Sequence, residues 1–140
     1  MNNLYIDFLQ RISCYPIDNN WDTFMIEHKI PANQDEKAGV EQYIKSQTGR
    51  KNGLYIYKCE NEFCLYIGKG KPISGRLVSH YRESFQEVPG DTKNKKWHRF
   101  FENHQGRLKV YWKELEGEDN RRVVELMLDC VLQPAFRDWV

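Results

Sequence analysis

At 140 residues the chain has room for one core, with little left for a second. Its 40% hydrophobic and 29% charged residues are a globular composition, and no apolar run approaches the length of a bilayer-spanning helix. A net charge of +1 does not by itself mark a nucleic-acid binder, but the charges are uneven. DNNWD and NQDEKAG are acidic, while KGKPISGR, DTKNKKWHR and NRR are basic. A local basic face of that kind suits a phosphate backbone. The N-terminal MNNLYIDFLQRIS lacks the basic start and long apolar run of a secretory signal, so the expected compartment is the cytosol, or the nucleus in a eukaryote. The four cysteines, Cys14, Cys59, Cys64 and Cys130, offer one loose pair and no second pair with zinc spacing, so reduced thiols are expected.

Residues 1–50 read as a mostly helical N-terminal extension packing on the core. Leu4, Tyr5, Phe8, Leu9 and Ile12 form a helical stripe with Asn2 or Asn3 as cap. WDTFMIEHKI is ambiguous between a strand and a short helix, and NQDEKAGVEQYIKSQTG predicts a helix from about Gln34 to Gly49. Residues 51–140 read as the working domain. GLYIYKC and FCLYIG, joined by ENE, predict an antiparallel hairpin. Leu77, Val78, Tyr81 and Phe85 mark a helix, EVPGDTKNK a loop, and KWHRFFENH a second short helix. RLKVYWKEL alternates as a half-buried strand, and EDNRRVVELMLDCVLQ is a third helix closed by Pro134. The expected fold is α+β, a small three-stranded antiparallel sheet flanked by helices.

Tyr55 and Tyr66 occupy comparable places on the two hairpin strands and are expected to meet on one face. Gly53 and Gly68 beside them admit close approach of backbone or ligand. Arg76 and His80, four apart, share a helix face. Glu125 interrupts the apolar run VVELML. Together these are the parts that phosphodiester hydrolysis requires. A base takes a proton from water, an arginine fork offsets phosphate charge, and one carboxylate holds a largely hydrated Mg²⁺. Taken singly, each has a commoner structural reading: packing tyrosines, turn glycines, a solvated helix face, a glutamate at a helix margin.

In combination the residues resemble the GIY-YIG nucleases. Gly53-Leu54-Tyr55 stands for the first half of the family signature and Tyr66-Ile67-Gly68 for the second, with ten residues between the tyrosines. Arg76 four before His80, and Glu125 nine before Pro134, match the family's later elements. Arg137 stands where the family carries an asparagine. The resemblance covers residues 52–137. It implies the α+β fold just described and cleavage of DNA to 5′-phosphate and 3′-hydroxyl ends. It further implies that Glu125 holds Mg²⁺, or Mn²⁺ in its place, that Tyr55 is the general base assisted by His80, that Arg76 binds the scissile phosphate, and that Tyr66 orients phosphate or water. Gly53 and Gly68 would shape the hairpin, and Lys69 and Lys71 would contact phosphate.

Lys95 and Lys96, beside Trp97, are expected to track a DNA backbone by charge and stacking, or to form a solvated basic loop. No helix-turn-helix or zinc-finger pattern is visible, so specificity is expected to be weak, structure-selective, or gained through a homodimer. Restriction, repair and mobile-element roles all fit. The competing reading is a non-catalytic nucleic-acid-binding or protein-interaction module that keeps the fold, motivated by Arg137.

Overall fold

The computed structural model describes residues 2–85 and 106–136. Along the chain these form α1 (Asn2–Arg11), α2 (Ile17–Asn20), β1 (Asp22–His28), α3 (Gln34–Thr48), β2 (Gly53–Lys58), β3 (Cys64–Gly70), α4 (Ile73–Glu83), β4 (Gly106–Glu114) and α5 (Glu118–Leu132). The α+β class holds, but the sheet has four strands rather than three, all antiparallel, in the order β1-β4-β2-β3. The additional strand is the ambiguous WDTFMIEHKI. From Thr23 onwards, Phe24, Ile26 and His28 turn inward while Thr23 and Glu27 face solvent and Met25 is half-buried, the period of two that a strand requires. A histidine at an inward position hid that period in the sequence.

β2 is central, and its first five residues are buried. Alternation sends them to opposite faces. Tyr55 and Tyr57 join Phe24, Ile26, Val110, Trp112, Leu77 and Tyr81 in a core on the α3 and α4 side. Leu54 and Ile56 join Leu9, Trp21, Tyr111, Val124 and Leu128 on the side of α1, α2 and α5. The helices therefore form a layer on each face, and each fully buried aliphatic side chain contributes about 1.5–3 kcal/mol to holding them there.

Residues 2–50 are built into this body. β1 pairs with β4, α1 packs on α5, and α3 packs on α4. Asn33 caps α3 by accepting the Glu36 N–H at 2.8 Å, and the helix stops at Gly49 as its sequence predicts. Arg82 of α4 clamps Glu41 of α3 with two hydrogen bonds, 2.8 and 2.6 Å. The guanidinium, by hydrogen bonding, holds the Glu41 carboxyl below its ordinary range. All four cysteines are free thiols: Cys14 buried, Cys59 and Cys64 partly buried, Cys130 exposed. Among the described residues no helix is long and apolar enough to cross a membrane. The second short helix expected over KWHRFFENH lies outside the described residues.

The two kinds of contact are separable by urea denaturation. Ile56→Ala, at a position with no exposure, is expected to cost about 2–5 kcal/mol. Arg82→Ala, which takes a half-exposed guanidinium from the mostly covered Glu41, is expected to cost about 1–2 kcal/mol.

Candidate active site

β3 lies at the edge of the sheet, in contact with α4 and α5. A cavity of about 390 Å³ opens there. Tyr55 from β2, Tyr66 and Lys69 from β3, Arg76 from α4, and Glu125 and Asp129 from α5 line it. The segment after Pro134 completes the wall. Ala135 and Phe136 donate backbone hydrogen bonds to the Cys64 and Leu65 carbonyls of β3, at 3.0 and 2.9 Å. This brings the Phe136 ring to 5.8 Å from that of Tyr66.

The register explains why each half of the hairpin carries a tyrosine and a glycine. Tyr55 lies opposite Gly68, and Tyr57 opposite Tyr66. The Tyr55 ring therefore crosses the strand over Gly68, and its centroid comes within 6.2 Å of that of Tyr66. A Cβ on Gly68 would lie 2.8 Å from Tyr55 Cε2, and closer still to Cζ and Oη. Gly53 answers a different need. A Cβ there would lie 2.8 Å from the Leu115 backbone nitrogen and nearer to the Lys113 carbonyl, so this glycine admits the end of β4.

Tyr55 is fully buried, and its hydroxyl meets His80 Nε2 at 2.8 Å. His80 stands behind Tyr55 rather than in the cavity wall. Burial, followed by the charge of Arg76 and by His28, pushes the His80 pKa well below its ordinary value, so the imidazole is neutral at physiological pH. A neutral imidazole with its proton on Nδ1 accepts the Tyr55 proton at Nε2. Arg76 is partly buried and hydrogen-bonds Tyr55. Burial opposes its charge, yet Tyr55, Tyr66 and Glu83 together hold the guanidinium above its ordinary value. The coupling is reciprocal, so the cation favours negative charge on the Tyr55 oxygen.

Glu125, partly buried, faces the cavity from α5 and pairs with Lys69 Nζ at 3.6 Å. Asp129, one helical turn later and 6% exposed, lines the same cavity. Among the described residues no three His, Cys, Asp or Glu side chains are gathered as a metal cage. The donors present still fit Mg²⁺ or Mn²⁺. Mg²⁺ keeps most of its waters and takes one or two carboxylates, and Glu125 with Asp129 nearby offers that chemistry at an open cavity.

No protein-family model matches the chain, and no curated protein matches it significantly.

Of the residues singled out in the sequence, Tyr55, Tyr66, Arg76, Glu125, Gly68 and Lys69 meet at this one cavity, with His80 directly behind. Lys71 is exposed in the turn before α4 and is not part of the lining. Lys95, Lys96 and Arg137 lie outside the described residues. Sequence reasoning missed Asp129, Phe136, Glu83 and His28. The i, i+4 spacing from Glu125 was the available signal for Asp129. Nothing in the sequence marked His28, which lies 5.7 Å from Tyr57 between ring centroids and is buried in the core.

Two outcomes follow from this geometry. Gly68→Ala drives a methyl into the Tyr55 ring and is expected to destabilise the fold by about 1–3 kcal/mol in urea titrations. The buried histidines set the acid response. Burial pushes His28 down to about 3, and His80 is lowered too. The unfolded chain therefore binds these protons first. The histidines should leave stability level from pH 6.5 to about 8 and lower it below pH 6.5 by about 1.4 kcal/mol per pH unit each. The slope between pH 6.5 and 5 should lose one such share in His28→Phe.

Proposed function

We propose that the chain is a metal-dependent DNA endonuclease of the GIY-YIG type, leaving 5′-phosphate and 3′-hydroxyl ends. One observation carries the reading. Tyr55, Tyr66, Arg76 and Glu125, residues from four elements spread over 71 positions, line one cavity, and His80 is hydrogen-bonded to the hydroxyl of the first. Packing alone gives no reason for a buried tyrosine hydroxyl, an arginine and a carboxylate to converge on an open space.

In this reading the scissile phosphate enters the cavity against Arg76, whose planar fork takes up its oxygens and the charge that grows on them. Tyr55 passes its hydroxyl proton to His80 Nε2 and takes one from the attacking water. The water oxygen bonds to phosphorus, and the bond from phosphorus to the 3′ oxygen breaks with its electron pair on that oxygen. Tyr66, beside Tyr55, holds the water or a phosphate oxygen. Bound at Glu125, Mg²⁺ or Mn²⁺ supplies Lewis-acid stabilisation of the phosphate and the leaving oxygen. Lys69, released from Glu125, reaches a neighbouring phosphate, and Lys71 extends the same basic edge. The substrate is DNA, and the small footprint fits weak or structure-selective cutting.

Supercoiled plasmid and branched DNA, incubated with Mg²⁺, Mn²⁺ or EDTA, test the proposal. Metal-dependent nicking is expected, with Glu125→Ala inactive at nearly unchanged stability. Tyr55→Phe is expected to lower the single-turnover rate by about 10²–10⁴-fold, and Arg76→Ala by about 10²–10³-fold. A folded wild type that binds DNA but cuts it with neither Mg²⁺ nor Mn²⁺ would instead make the chain a binding module.

A further inference from the structure

Arg76, His80 and Glu83 stand at i, i+4 and i+7 on α4 and form one stripe against the hairpin. The first two enter the proposed mechanism and the third does not. Glu83 is nonetheless 5% exposed, and burying a carboxylate is unfavourable unless charge or hydrogen bonding compensates it. Its Oε1 lies 3.6 Å from His80 Nδ1. His80 Nε2 is in turn 2.8 Å from the Tyr55 hydroxyl. Carboxylate, imidazole and phenol are thus in series across the core side of the cavity.

We infer that Glu83 is a positioning residue, holding the proton of His80 on Nδ1 so that Nε2 is free to take the proton of Tyr55. The inference rests on the nuclease reading for its role in cleavage, although the tautomer itself does not. The chemistry is that of a carboxylate behind a histidine base, which orients the ring and stabilises the imidazolium formed when the proton arrives. Here the need is acute. The His80 ring has no exposure, and Arg76 and His28 both oppose a positive charge on it. Glu83 pairs with that ring, and it also lies within electrostatic reach of Arg76 and Tyr57. At 3.6 Å the Glu83 contact is slightly longer than a hydrogen bond, and such contacts in ligand-free sites commonly tighten when substrate binds.

The first arm of the test needs no catalysis. Two-bond ¹H–¹⁵N spectra of protein labelled at histidine nitrogens, with His80 assigned by its loss in His80→Gln, should show a neutral Nδ1–H tautomer. They should show a shift towards Nε2–H in Glu83→Gln. An Nε2–H tautomer or an imidazolium in the wild type at neutral pH overturns the inference. The second arm is single-turnover nicking of supercoiled plasmid with Mg²⁺. Glu83→Gln should slow it about 10²-fold with DNA affinity unchanged, and Glu83→Asp should recover part of the loss. In a His80→Gln background the same Glu83→Gln change should alter the rate less than about twofold, because Glu83 acts through His80. A full second loss there would show that Glu83 serves the fold or Arg76 instead, and would overturn the positioning role. An Nδ1–H tautomer in a wild type that never cuts would bring down the nuclease reading and, with it, that role, leaving Glu83 a structural partner of His80.

Discussion

The passage of the Tyr55 ring over Gly68 is the contact on which the site depends. It lets a central strand send a polar atom out to the edge of the sheet. A residue in the middle of β2 would otherwise bury its side chain against α4 and reach no open space. With no side chain at position 68, the ring lies across β3, and its hydroxyl arrives at the cavity between helices of both layers. Everything else is arranged about that oxygen. His80 meets it from behind, Arg76 from the side, and Tyr66 lies beside it on the same face. The glycine and the tyrosine form one device split between two strands, which is why neither half explains itself in the sequence.

The surroundings of that oxygen are unusual for a core. Tyr57, Tyr66, Tyr81, His28 and His80 form an aromatic cage, with ring centroids mostly 5.6–6.2 Å apart. Aromatic rings give up little conformational freedom when packed, and they tolerate polar tips at their edges. Such a cage keeps an imidazole neutral while leaving it able to accept a proton. The same desolvation that lowers the histidines also strengthens the pull of Arg76 on the Tyr55 oxygen. Acid sensitivity and a poised hydroxyl share one cause, the exclusion of water from the α3 and α4 side of the sheet.

The hairpin, the capped α3 and the long α5 were legible because each carries a local signal: alternating aromatics, an asparagine before an acidic first turn, an apolar stripe ended by proline. The convergence of Tyr55, Tyr66, Arg76 and Glu125 was legible only as a set, since each has an ordinary structural use. β1 was harder to read because His28 stands where an apolar residue would have completed its alternation. Its burial is decided by Tyr57 and Tyr81, 29 and 53 positions away in the chain. Glu83 and Asp129 escaped for a related reason. A carboxylate near the end of a helix reads as solvated until the tertiary structure covers it. Phe136 follows the last helix and gains its place through backbone bonds to β3, which no local pattern encodes.

The strand order also has a consequence for how the molecule is made. β4 lies between β1 and β2 and pairs with both, yet it comes last of the four in the chain. Its Trp112 pairs with Asp22, 90 positions earlier. On the ribosome, β1 and one edge of β2 must wait without their partner until residues 106–114 have been synthesised. Contacts so distant in sequence close slowly, and an apolar strand waiting for its neighbour invites pairing with other chains. The hairpin of β2 and β3 can close early, because its strands are adjacent. The half of the site that carries both tyrosines is thus free to form early in synthesis, while the sheet that supports it is completed only when β4 emerges.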